Sequence, residues 1–388
     1  MGHEDFHVYR FDCQACGEEM EVGLRADYQT STHSIEEVGN CENVQEESNF
    51  IIVNTHANFV IPDDMRNVDG AFPHLSQMYE RARIAEASGS LVRVADISGK
   101  NLSARPYRRP DIENEWQKLK KSWSLFRRNR IKLSENILRE ASDEFYSNEP
   151  LDGIQDWLWR FALYFTGTSY EVRFRDALDI IRPEAESGKL SDVMIHYSAN
   201  LVAMRSQKYF DILREYFSGW SEFSQVHFSV GQGMTVGSLA ATSVNFNSVK
   251  MYYGNAFEAL GSFIDILTMI NNVKLGRSFD QLSTISLEKY LTLDKANRFS
   301  AFSENLQFSA LCEEHDNQLR NASHHGDLVF NREVGDISYR TGKGADGKEV
   351  IITYADYLQR CSRVHHQIIL LLRIELLLCR YMKVSCPI

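Results

Sequence analysis

The sequence predicts a mainly α-helical protein that opens with a small β-rich module. Three observations predict it. Apolar residues recur at spacings of three and four through most of residues 111–388, short apolar runs alternate with polar turns in residues 1–99, and proline is scarce, at 7 in 388 residues. The chain is 43% hydrophobic and 24% charged, with 22 Gly, which excludes collagenous, disordered and disulfide-scaffold classes. Net charge is −11, yet residues 1–50 hold 12 acids against two bases, Arg10 and Arg25, so the remainder is close to neutral. Seven cysteines, odd in number and unevenly spaced, point to a reducing cytosol rather than a secreted framework. No apolar leader pattern opens the sequence, so no signal peptide is expected.

Taken in order, the runs at 6–11, 50–53 and 59–61 read as strands of a module spanning 1–99, which a helix at 75–87 closes. Residues 100–110, with Pro106 and Pro110 among four bases, read as a connector. Trp116, Leu119, Trp123 and Phe126 open a helical middle domain at 111–230, continued by periodic segments at 157–170, 193–204 and 209–217. Glycines 231, 233 and 237 break the period and mark a boundary. The last unit, 245–388, holds helices expected at 248–275, 286–297, 301–320 and 354–382. Between the last two, alternation at 336–339 and β-branched residues at 350–353 flank a Gly-rich turn, which predicts a β-hairpin inserted in a helical bundle. The apolar run 367–382 is too short for a membrane span and carries Arg373, Glu375 and Arg380, so it reads as a buried helix and no membrane association is expected.

The segment Leu319-Arg320-Asn321-Ala322-Ser323-His324-His325 places an Arg, an Asn and two His at the expected end of a helix. Cutting RNA through its own 2′-OH needs a base for the hydroxyl proton, an acid for the leaving 5′-oxygen, and a fixed positive donor for the phosphorane charge. Imidazole titrates near neutrality and serves as either base or acid, while guanidinium offers a permanently charged fork to phosphate. Arg320 and His325 are just over one helical turn apart, close enough to serve one groove. The same residue types, at a helix end, also cap carbonyls and face water without any chemistry.

Arg320-Asn321-x-x-x-His325 resembles the R-x(4 to 6)-H signature of the HEPN superfamily, including the polar residue after the Arg. The likeness covers roughly residues 245–388. It implies a C-terminal HEPN-like four-helix bundle that forms a homodimer, two copies of Arg320 and His325 lining one cleft. It further implies a metal-independent endoribonuclease of bacterial toxin, abortive-infection or anti-phage systems, in the cytoplasm, with Asn321 positioning phosphate or imidazole. His324 has only three residues between it and Arg320 and is the second choice for the catalytic imidazole. Gly326-Asp327 follows the His, so the variant with a Tyr two positions on is not present. The alternative is a non-catalytic bundle that dimerises or binds RNA or nucleotide through Arg320.

Other clusters carry weaker signals. Cys13-x-x-Cys16-Gly17 begins a zinc knuckle and Cys41 supplies a third thiolate, but position 44 is Val, so the fourth ligand of a zinc-ribbon-like site falls to His33, His56 or another residue. The other reading is free or oxidisable thiols. Residues 100–132 mix eleven bases with Tyr107, Trp116, Trp123 and Phe126. This reads either as a nucleic-acid track or, by helical spacing, as a core stripe with a solvated basic face. Gly342-x-x-x-x-Gly347-Lys348 lacks the P-loop Ser or Thr and the following helix, and stays a hairpin turn. His365 and His366 are candidates to face an RNA cleft. His315 and Asp316 lie one turn before Arg320, to orient the site or face solvent. Beyond the RNA substrate, the expected partner is a regulator or phage-derived trigger acting through the N-terminal module.

Overall fold

The computed structural model describes residues 6–13, 16–27, 32–44, 94–95, 101–102, 112–147, 149–163, 166–231, 241, 243, 245–325, 327–331, 334–342 and 347–388. The expected strands at 50–53 and 59–61, the helix at 75–87, and most of the connector and of the Gly-rich boundary lie outside them. The described chain is mostly helical, with small antiparallel sheets.

Strands β1 (Phe6–Asp12), β2 (Glu19–Asp27) and β3 (Thr32–Gly39) form a meander, Phe6 opposite Arg25 and Leu24 opposite Ile35. A two-residue pair follows, β4 (Val94–Ala95) and β5 (Asn101–Leu102). The helices α1 (Ile112–Arg127), α2 (Ile131–Phe145), α3 (Ile154–Leu163), α4 (Thr168–Glu186), α5 (Ser191–Asn200), α6 (Val202–Ser218) and α7 (Trp220–Gly231) come next. Trp116, Leu119 and Trp123 are buried along α1 while Phe126 is half-buried, so the aromatic stripe is core and the bases are its outer face.

After residue 245 the expected helix over 248–275 divides into α8 (Phe246–Val249), α9 (Tyr252–Phe263) and α10 (Asp265–Lys274). The breaks at Met251 and Ile264 keep right-handed helical dihedrals, so the path bends without unwinding. Short helices α11 (Leu287–Leu291), α12 (Lys295–Arg298) and α13 (Leu306–Ala310), with a 3₁₀ turn at Phe299–Phe302, replace the two longer ones expected at 286–297 and 301–320. Ser286, Asp294 and Asn305 cap the starts of α11, α12 and α13 through their side chains, which explains why this stretch breaks into single turns. Helix α14 (Asn317–His325) leads to β6 (Val329–Asn331), β7 (Asp336–Arg340) and β8 (Glu349–Thr353). The expected hairpin is therefore two strands of a three-stranded sheet.

Thr353 accepts from the backbone N–H of Asp356 and starts α15 (Tyr354–Met382); Lys383 ends it in the left-handed region at φ 55°. Helix α15 packs against α3, α4, α5, α7 and α9. One continuous core runs from Ile112 to Cys379, so the boundary expected between 230 and 245 does not separate two cores. Buried charges stitch the halves together. Arg205 on α6 pairs with Glu375 on α15 and Asp265 on α10, and the hydroxyls of Tyr197 and Tyr209 donate to Glu375 at 2.6 and 3.0 Å. Arg373 pairs with Glu171 at 2.8 Å and lies 3.8 Å from the ring centre of Phe174. The charges that interrupt the apolar run thus hold α15 at the centre. Among the described residues, no helix is long and apolar enough to cross a membrane.

Candidate functional site

Asp316 starts α14: its Oδ1 accepts from the backbone N–H groups of Gln318 and Leu319 at 2.9 and 3.0 Å, and its Oδ2 from Arg360 at 3.0 Å. Asp316 is therefore a cap held by a guanidinium. His315 stacks on Phe299, ring centroids 4.7 Å apart, and its Nδ1–H donates to the Cys312 carbonyl, which can only accept. Neither residue points its polar atoms at Arg320.

Leu319 and Ala322 bury the inner face of α14, and Ser323 fastens it to α9. The Ser323 hydroxyl donates to the Lys250 carbonyl and accepts from Gly254 N–H at 3.2 Å. Helix–helix approach is closest at Gly254, where an added Cβ would lie 3.0 Å from Cδ2 and Nε2 of His324. Glycine is needed there for the imidazole to lie against the helix backbone.

One turn along α9 from Gly254, Glu258 takes the Arg320 guanidinium. Arg320 Nε donates to Glu258 Oε1 at 2.7 Å and an NH2 proton also reaches that oxygen; Nη1 donates to Asn321 Oδ1 at 2.7 Å and Nη2 lies 3.5 Å from Asp294. The Phe257 ring lies 5.6 Å from the guanidinium carbon. The Arg320 side chain keeps 19% of its surface exposed, so a substrate reaches it at an edge.

Helix α14 remains α-helical to His325. At about 100° per residue, His324 then shares the Arg320 side of the helix and His325 is turned well away from it. His324 is half-buried against α9, and His325 is exposed. The structure thus gathers Arg320, Asn321, His324 and Glu258 at one place, with His325 on the adjoining surface. Glu258 was not expected from the sequence: a single carboxylate in an amphipathic helix carries no local signal, and its partner is 62 residues away.

His365 and His366 correct the sequence reading. Both are fully buried on α15, with 0% exposure. His365 stacks on Tyr216 at 3.6 Å and meets the Tyr252 hydroxyl at 2.8 Å through Nδ1; His366 lies beside Tyr170 and His227. Burial pushes His365 well below the usual imidazole range and His366 down to about 4. They are neutral core side chains and line no surface cleft.

The zinc reading also meets no ligand set. Cys13 and Cys16 sit in the β1–β2 turn, where Gly17 takes φ 78° and its N–H donates to the Cys13 carbonyl at 2.8 Å. Cys41 reaches the same end of the sheet, but its thiol donates to the Glu21 carbonyl at 3.0 Å. Among the described residues no three His, Cys, Asp or Glu side chains come together to hold a metal ion. His56 and the His33 side chain lie outside the described residues.

Compared with models of known families, with curated proteins and with solved structures, the chain matches none.

Proposed function

We propose that this chain is a metal-independent endoribonuclease of HEPN type, with Arg320, Asn321 and His325 as its working residues and 245–388 as its bundle. The observation that carries the reading is the guanidinium of Arg320, fixed by Glu258 and Asn321 at a surface edge, with the exposed imidazole of His325 on the same helix end. A general acid or base must reach the proton it moves. His325 meets that need without displacing protein contacts, whereas His324 packs on Gly254 and is assigned a positioning role.

In this mechanism one imidazole takes the 2′-OH proton and the hydroxyl oxygen attacks phosphorus. A second imidazole, from His325 of a partner copy, gives a proton to the departing 5′-oxygen. The bond to the 5′-oxygen breaks, leaving a 2′,3′-cyclic phosphate and a 5′-OH, so atoms and charge balance without a metal. Arg320 stabilises the phosphorane oxygens, the larger electrostatic contribution. Two copies of the bundle complete the cleft, in the cytoplasm, and the N-terminal sheet serves as the surface for a regulator or phage-derived trigger. A structural zinc on Cys13, Cys16 and Cys41 takes no part in this chemistry.

A second reading has its own support. Arg320 faces two carboxylates, Glu258 and Asp294, as a structural ion pair would. In that case the bundle binds without cutting. The test is incubation of purified protein with RNA in excess EDTA, comparing wild type with His325→Ala: cleavage to cyclic-phosphate ends by wild type alone supports the enzyme, and no cleavage by either, with binding lost only in Arg320→Ala, supports the binding module.

A further inference from the structure

Arg320 alone is a poor phosphate site, because Glu258 and Asp294 together outweigh its charge. Further along the same face of α9 the balance reverses. The stem of Lys295, at the start of α12, packs on Gly261 so closely that an added Cβ would lie 2.8 Å from its own Cβ. Lys208, from α6, donates from Nζ to the Ser262 hydroxyl at 2.9 Å. Neither lysine forms an ion pair among the described residues. Behind them, the Arg298 guanidinium donates only to the carbonyls of Gly261, Leu291 and Leu293, so its charge is not matched by a carboxylate.

We infer that Lys208 and Lys295 form a phosphate subsite for single-stranded RNA, adjoining Arg320 and holding a backbone phosphate next to the one that reacts. Gly254, Glu258 and Ser262 fall at intervals of four residues on α9. The imidazole of His324, the guanidinium of Arg320 and the two amines therefore follow one another along about 12 Å of helix. Half-burial, then the repulsion of neighbouring cations, pushes Lys295 down to about 8 and lowers Lys208 as well, while Glu258 pulls both the other way. An anion between the amines relieves that repulsion. Arg205, the other guanidinium near Lys208, already carries Glu375 and Asp265 and is fully buried, so it is not part of the subsite. Gly261 has a role in this arrangement: its missing side chain lets the lysine stem lie flat and aims the amine along the groove.

The inference rests on the ribonuclease reading for its substrate, and its test is made separable from catalysis. The probe is a fluorescent 2′-O-methyl oligoribonucleotide, which lacks the nucleophile and cannot be cut, titrated with full-length protein over a range of salt. The double variant Lys208→Gln/Lys295→Gln is expected to bind about tenfold more weakly, with a salt slope shallower by about 1.4, or about 0.7 for each lost phosphate contact. Lys208→Arg/Lys295→Arg, which keeps the charge, is expected to bind nearly as wild type and shows that a loss in the Gln variant is not misfolding. Lys189→Gln, an exposed lysine elsewhere, changes nothing. Unchanged affinity and slope in the Gln variant, or no salt-dependent binding by wild type, overturns the subsite. His325→Ala binding normally but failing to cut supports both readings, whereas normal binding with no cleavage even by wild type leaves the subsite standing and removes the enzyme.

Discussion

Replacing His366 with Phe removes a difference in proton binding between the folded and unfolded chain, and the size of that difference follows from the core around it. The imidazole lies 4.8 Å from the Tyr170 ring and 5.2 Å from that of His227, and its Nδ1–H donates to the Ser362 carbonyl at 2.6 Å. Burial lowers its pKa from 6.5 to about 4. Between those values the unfolded chain holds a proton that the folded one refuses, so stability falls as pH falls through that window. At about 1.4 kcal/mol per pH unit, the whole window amounts to roughly 3 kcal/mol. His227 and His365, also pushed down by burial, act in the same direction. Glu215, Glu314 and Glu375 are pushed up by burial and act in the opposite sense above 4.5, where the folded chain holds the extra protons. Wild type alone therefore mixes signs, and the difference between wild type and His366→Phe isolates one residue. Urea unfolding of both proteins at a series of pH values reads it. The advantage of wild type over the variant is expected to shrink by roughly 3 kcal/mol between pH 7 and pH 4. Parallel curves would refute the burial argument and return His366 to a solvent-facing position.

Three further predictions test the same physical account. Glu375→Ala leaves Arg205 buried with one carboxylate and two tyrosine hydroxyls without their acceptor, and urea unfolding should show a loss of about 3–5 kcal/mol; a loss below 1 kcal/mol would mean the charges are solvated. Gly254→Ala forces the His324 ring aside by a few tenths of an ångström, costing about 1 kcal/mol, and should leave RNA cleavage within tenfold of wild type. A much larger loss of cleavage would transfer the catalytic role from His325 to His324. Glu258→Gln should change stability by no more than about 1 kcal/mol, because both partners are partly exposed; it should tighten oligonucleotide binding and slow cleavage, and no change in either would make the pair incidental.

The parts of the fold that were legible in the sequence are those where one pattern runs long. Helix α15 and the β7–β8 hairpin lie where period and turn residues put them, because a stripe of buried residues 29 long has no competing reading. The break-up of 286–320 was not legible: each single-turn helix is decided by one capping side chain, and the period-3.6 stripe continues across the breaks. Strand β6 has three residues and no period at all. At the site, the Arg320-to-His325 cluster was visible as a motif, while Glu258, Lys208 and Lys295 were not, since their relation to it exists only after α6, α9 and α12 meet. His365 and His366 misled for the opposite reason. Their polarity argues for a surface, and only the stack of aromatic rings around them shows why a neutral imidazole is at home inside.

The central claim is tested most directly by chemical analysis of RNA ends after incubation with wild type and His325→Ala in excess EDTA. The account predicts 2′,3′-cyclic phosphate and 5′-OH ends from wild type and intact RNA from the variant. Identical ends from both proteins, or ends that appear only when a divalent metal is restored, would contradict it.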